Sequence, residues 1–388
     1  MNIRVTFYLI VFLIIIAIPL IFCDFSKDRI SIEENRRLAN FPELSDIKNA
    51  PIKFLNGFDD WFKDSTGFRD SMIKLYKAAF NNQWLNKVRY REGINVYLYG
   101  DEGHIYYSDM IHANRDGWLM SIFQGKPILP ETEANYFSGK LEHINTYLNS
   151  LGIPMLVMLC PNKETVYPEF YPKSIVKGPE PNSLDLFTNY LNENTGATVF
   201  NINKALIDQK ENFLLFPKRD TLFDAPTYVA HYNQIGAFFG YQELMRHIKR
   251  YYPEINIFNL ADTDIVHDDN EPNVLLKPEN ISAINLGTSF FDDIPLDRPY
   301  LTAQNAAYEN ENKKLPTILF LRDSYTYNTY NEIFIVQHFS KTILIHYRNI
   351  SNIKEYIEIF KPAIVVLEAG ERGLFDLLEH LKKMPALF

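Results

Sequence analysis

The chain has 388 residues, 46% of them hydrophobic and 14% aromatic, with a formal net charge of −9. That length buries one large core or two smaller ones, and the acidic balance argues against a nucleic-acid grip built on general basicity, leaving neutral sugars and small molecules open. The two cysteines, Cys23 and Cys160, stand in no metal-type spacing and the nine histidines show no paired-ligand pattern, so neither a zinc site nor a disulfide is expected.

Taken in chain order, the first element is an uncharged run, "VTFYLIVFLIIIAIPLIF" from Val5 to Phe22, long enough for a short membrane-spanning helix. Bulky Pro19, Leu20, Ile21 and Phe22 leave no small-residue cleavage site, so the run reads as an uncleaved signal anchor with the body on the extracytoplasmic side, periplasmic or cell-surface. The expected organisation is an anchor over 1–24, a linker over 25–52 that holds "SIEENRRLANFPEL", and one domain over 53–388. Within that domain, Phe54 to Trp84 carries helical apolar spacing broken at Thr66-Gly67, and "VYLYGDEGHIYY" (96–107) reads as a hairpin turning at Gly100–Gly103.

Beyond the hairpin the rhythm changes. Continuous apolar strands are predicted over 153–161, 197–203, 317–323, 341–347 and 362–370. Helical segments over 133–148, 184–192, 330–339 and 353–360 alternate with them. Such strands, buried on both faces and separated by crossovers, imply an α/β fold with a mostly parallel sheet between two helical layers. Ligands of such sheets bind beyond the carboxyl ends of the strands.

Asp323-Ser324 falls at one of those ends, where "TILFLRD" hands over to a helix. The pair is either a helix cap or a nucleophile elbow, in which a serine hydroxyl stands on the sheet rim near free backbone N–H groups. A serine nucleophile needs a base. Among the histidines, His231 stands out, because it precedes a strong helix capped by Asn233 and is free to face a cleft; His247 and His338 read as structural or surface residues. Lys163, Tyr167 and Glu169 follow strand 153–161 at the same edge, in a loop that either lines the cleft or is merely stiffened by Pro161, Pro168 and Pro172.

"ENRRLANFP", "DSTGFRD", "YGDEGHIYY", "LCPNKETVYPEFYP", "HYNQIGA", "RDSYT" and "KPAIVVLEAGER" occur in one order over about residues 30–375. In that order the chain resembles the DHHW and AlgX/AlgJ family of SGNH-hydrolase-like proteins, tied to O-acetylation of exported polysaccharides. The resemblance implies a three-layer SGNH-hydrolase-like domain, an acyl-enzyme mechanism with Ser324 as nucleophile and His231 as base, and no metal or diffusible cofactor. It implies a polysaccharide substrate and a membrane-bound O-acyltransferase as acyl donor. The family's Asp-x-His-Trp and Gly-Asp-Ser motifs appear here with Tyr232 for the tryptophan, Arg322 for the glycine and Val229 for the triad aspartate. Asp224 and Asp220 are the acids near enough in sequence to replace it. Asp323 becomes a supporting residue, and Tyr330, Lys163, Arg348 and Arg372 are candidates to line the substrate or oxyanion site.

Overall fold

The computed structural model describes residues 12, 23–26, 29–31, 36–66, 89–92, 95–110, 118–218, 230–268, 271–282, 284–286, 305–328 and 332–385. They belong to two compact units, Met1–Val88 and Arg89–Phe388. In the first, helix α1 (Pro51–Ser65) opens on a proline, whose missing N–H is harmless at a helix start. It buries Trp61 in an aromatic cluster with Phe25 and Phe41, at centroid distances of 5.0 and 4.8 Å. Helix α1 runs across residues 52 and 53, where the linker was expected to end, and stops before Thr66, where the break was expected. The continuation to Trp84 lies outside the described residues, as does the apolar run apart from Phe12. No described helix is long and apolar enough to cross a membrane.

The second unit opens with an antiparallel sheet of β1 (Arg89–Glu92), β2 (Asn95–Tyr99) and β3 (Ile105–Met110). The expected hairpin is β2–β3. Its turn passes through Glu102 and Gly103 at φ 51° and 80°, left-handed values that a glycine adopts without strain.

Among the described residues, the central sheet has seven strands. In chain order they are β4 (Met155–Cys160), β5 (Thr198–Asn201), β8 (Ile284–Leu286), β9 (Ala306–Asn310), β10 (Thr317–Arg322), β11 (Lys341–His346) and β12 (Ile364–Gly370), while β6 (Thr263–Asp268) and β7 (Glu271–Leu276) form a separate hairpin. Spatial order is β8-β9-β11-β10-β12-β4-β5. The last five are mutually parallel and are the five strands expected from sequence, each placed within two residues. The antiparallel strands β8 and β9 were not anticipated.

Alternation along the strands sorts the core into two layers. Met155, Val157, Leu159, Leu319, Leu321, Ile343, Val365 and Leu367 face helices α2 (Glu131–Ser150), α3 (Ser183–Asn194), α5 (Ile353–Phe360) and α6 (Leu374–Lys382). The intervening Leu156, Met158, Phe320, Leu344 and Val366 face helix α4 (Gln234–Ile248) and the segments around Phe258 and Phe334. Side chains two residues apart share a face, so an apolar run in each inner strand is what a sheet covered on both sides requires. Strand β10 sits between β11 and β12, the next two strands in sequence. The connection that follows β10 runs to β11 on one side and the connection that follows β4 runs to β5 on the other, which opens a crevice at the carboxyl ends of the strands between them.

Candidate active site

Strand β10 ends at Arg322, and two residues later Ser324 opens the helical turn Ser324–Asn328. Asp323 pins the bend. Its Oδ1 accepts the Tyr325 N–H at 3.1 Å and the Ser324 hydroxyl at 2.9 Å, and its Oδ2 accepts the Gly370 N–H at 2.6 Å. The Asp323 N–H donates back to Glu368 Oε2 at 3.0 Å. The ends of β10 and β12 are therefore braced in both directions. Gly370 permits this closeness, because a Cβ there would stand 2.5 Å from the Tyr325 ring and 3.1 Å from Asp323 Oδ2.

Glu368 is wholly buried and also accepts from Thr326 Oγ1 at 2.7 Å and Cys160 Sγ at 3.5 Å. Burial, reinforced by the neighbouring Asp323 charge, pushes its carboxyl up to about 7. Sequence reasoning did not single out Glu368 or Gly370. The signal was present as a lone acidic residue in the otherwise apolar "AIVVLEAG", since a charge inside an inner strand needs a buried partner.

His231 arrives from the other side of the sheet. Asn233 fixes the start of α4: its Oδ1 accepts the Gly236 N–H at 3.1 Å, and its own amide donates to Leu214 O at 2.6 Å. Tyr232 turns into the core against Tyr325, with ring centroids 4.9 Å apart. This orientation carries His231 to the rim, where Nε2 lies 2.9 Å from Ser324 Oγ. Serine and histidine are 93 residues apart in sequence and in hydrogen-bond contact in the fold, the geometry a general base requires.

A third side chain completes the group. Arg372, just past β12, brings Nη2 to 2.7 Å from His231 Nε2. Its Nη1 donates to Ala230 O and, at 3.2 Å, to Tyr325 OH. The guanidinium lies 4.8 Å from the Tyr325 ring centre and 5.8 Å from that of Tyr107. Tyr107, Leu119, Asn162, Lys163, Glu164, Ala230 and Arg372 line a narrow cavity beside it. Glu164 is buried there, which raises its carboxyl to about 8, with the Glu371 charge adding to the effect.

The other predicted residues are placed as follows. Lys163 is buried, its ammonium donating to Ile105 O at 2.9 Å, Pro217 O at 2.5 Å and Lys218 O at 3.4 Å, and burial brings it down to about 7. It lines the cavity but acts as a clamp on three backbone carbonyls. Tyr167 likewise bonds Phe213 O and Leu215 N, and Glu169 pairs with Lys210 on the surface. Arg348 is not brought to the serine: its Nε pairs with Asp376 Oδ2 at 2.7 Å. Arg322, at the family's glycine position, is buried against Glu332. His338 bonds Tyr241 OH at 2.6 Å and His247 stacks on Phe200 at 3.8 Å, both structural as expected. Asp220, Asp224, Val229 and Tyr330 lie outside the described residues.

No family model and no curated protein matches this sequence. The structure is similar to Bacillus cereus PatB1, with a TM-score of 0.50 and 15% identity over 72% of this chain and 97% of that one. It also matches a DHHW family protein from Eubacterium siraeum (TM-score 0.49, 13% identity, 76% of this chain and 97% of that one). A third match is the O-acetyltransferase domain of Pseudomonas putida AlgJ (0.42, 14%, 74% and 99%). At these identities the likeness is one of fold: the chain shares the α/β fold of PatB1, and its structural neighbours include the DHHW and AlgJ proteins that its motifs resemble.

Proposed function

We propose that this protein is an O-acetyltransferase-like enzyme acting on an exported polysaccharide through a Ser324–His231 acyl-enzyme mechanism. The observation that carries the reading is the 2.9 Å contact between Ser324 Oγ and His231 Nε2 at the carboxyl end of an inner parallel strand. His231 takes the hydroxyl proton as Oγ attacks the acetyl carbonyl, and the acetyl-serine then passes its acyl group to a sugar hydroxyl. The name of the AlgJ neighbour supports an acetyl group as cargo. Val5–Phe22 supplies a membrane anchor that keeps the domain near a membrane-bound O-acyltransferase, raising the effective concentration of donor and acceptor.

Turnover of a chromogenic acetyl ester tests the chemistry. Wild-type protein should release the chromophore, and Ser324→Ala and His231→Ala should not. Rates no higher in wild type than in the two variants would remove the enzymatic reading. Oligosaccharide added to the same assay should divert acetyl from water to sugar; free acetate as the sole product would make the protein an esterase. A second reading, a polysaccharide-binding scaffold of the same export machinery, is favoured by one observation, that Arg372 also occupies His231 Nε2.

A further inference from the structure

We infer that helix α1 docks on the membrane surface, laying an exposed apolar face into the headgroup–acyl boundary of the bilayer that Val5–Phe22 is proposed to span. The inference rests on the anchor reading of that run and is independent of the acyl-transfer chemistry. The stretch 25–62 holds eight of the 21 large hydrophobic side chains that are exposed among the described residues. Scattered apolar side chains on a surface are ordinary, but a concentrated set marks a docking face.

On α1 the set is Ile52, Leu55, Phe58 and Phe62. At 3.6 residues per turn, spacings of three, three and four keep these four side chains within about 120° of the helix circumference. Phe54, Phe58 and Phe62 stack in sequence at 6.3 and 6.2 Å, and Phe41 closes the adjoining side against Phe58 and Trp61. Ile52 and Leu55 stay outside this cluster, 74% and 64% exposed. Leu44 and Ile47, just ahead of the helix, are exposed as well. The charges of α1 suit a neutral lipid surface. Lys53 pairs with Asp46 at 3.1 Å, and Lys63 pairs with Asp59, the acid nearest the apolar arc, at 2.5 Å. Asp64 turns inward to accept the Ala39 N–H at 2.8 Å. With both lysines paired, burial of apolar area rather than attraction to anionic headgroups supplies the affinity.

Connectivity selects the bilayer over another protein as the occupant of this face. The Asp24 N–H donates to Ser65 O at 3.0 Å, and the Phe25 ring packs 5.0 Å from Trp61. Asp24 is two residues past Phe22, so at no more than about 3.6 Å per residue the carboxyl end of α1 is tied within about 10 Å of the end of the apolar run. A run that ends at the membrane boundary therefore holds α1 there too. The helix is about 22 Å long, and its exposed apolar residues recur from the first turn to the last. The whole face meets lipid only if the helix axis lies along the membrane plane, with phenylalanine rings at the interface.

Site-directed spin labelling of the full chain in phosphatidylcholine bilayers tests this. The labelled variants are Ile52→Cys, Leu55→Cys and, on the polar side, Asp60→Cys, each in a Cys23→Ser background where buried Cys160 is shielded from the reagent. Collisions with membrane-soluble oxygen and with a water-soluble nickel chelate give the depth of each label. Labels at positions 52 and 55 should lie on the order of 5–10 Å into the boundary, with oxygen-to-nickel ratios several-fold above that at position 60. Both residues are exposed, so the Trp61 cluster does not depend on them. A label at either position as open to nickel as the one at 60, in a chain that alkaline carbonate leaves in the membrane, would overturn the inference and leave the anchor standing. The same result in a chain that carbonate extracts would remove both. Dipolar broadening between labels at position 55 would assign the face to a second copy of this chain and equally overturn the inference. Absence of ester turnover with lipid-buried labels would count against the enzymatic reading and leave the docking role in place.

Discussion

Two loops leave the same edge of the central sheet and carry similar polar residues to opposite ends. After β4, the segment Asn162-Lys163-Glu164 buries its cation on the carbonyls of Ile105, Pro217 and Lys218. After β10, the segment Asp323-Ser324-Tyr325 directs its carboxylate to backbone N–H groups and leaves a hydroxyl against a histidine. Position at the carboxyl edge is shared, so position alone does not make a reactive residue. The difference is which partners saturate each polar group. A lysine with three acceptors has used every proton it can donate, whereas a serine between two acceptors can still move its proton.

The comparison breaks most sharply at Ser324. Replacing it by alanine should reduce acetyl-ester turnover by about a thousandfold or more while leaving the thermal midpoint near wild type, because the bracing of β10 to β12 runs through Asp323 and Glu368. A serine variant that melts far below wild type would make the elbow a structural device like the lysine loop.

Lys163→Met should behave in the opposite way. It strips the donor from buried carbonyls and should cost on the order of 2–4 kcal/mol, read as a shifted denaturant midpoint with an unchanged slope. If stability were unaffected and only turnover with oligosaccharide fell, Lys163 would belong to the cleft and the two loops would be alike.

Glu368 gives a pH-dependent test of the brace. Its folded-state value of about 7 lies above the ordinary carboxyl value of 4.5. Below 4.5 both states are protonated and burial carries no ionisation penalty. Between 4.5 and 7 the unfolded chain ionises first, so the contribution of this group to stability falls with rising pH and levels off above 7. Glu368→Gln lacks this dependence, and its stability relative to wild type should rise by on the order of 2–3 kcal/mol between pH 5 and pH 8. A constant difference across that range would mean that the carboxyl is not held neutral by burial.

The smallest effect is expected at Arg348. Its ion pair with Asp376 is more than one third exposed on both sides, and such pairs contribute about 0–1 kcal/mol. Arg348→Ala should shift stability by less than about 1 kcal/mol and leave ester turnover unchanged. A tenfold loss of turnover would return Arg348 to the site.

Much of the fold was legible because local pattern and global architecture agree. Continuous apolar runs such as "MLVMLC" and "IVVLEAG" are what a strand covered on both faces must contain, so their parallel pairing followed from their spacing with the helices. Strands β8 and β9 escaped notice because they are short and carry a weak apolar signal: β9 reads "AAYEN" and is buried only in part.

By itself, the sequence determined the five parallel strands, the serine at the end of one of them and the histidine before a capped helix, since each depends on residue types close together in the chain. The tertiary structure decided what those residues can do. Only folding brings His231 to Ser324, sets Glu368 and Gly370 behind Asp323, and lays Arg372 on the base. These contacts join residues separated by 45 to 141 positions, and hydrogen-bond reach is a property of space that no spacing along the chain encodes.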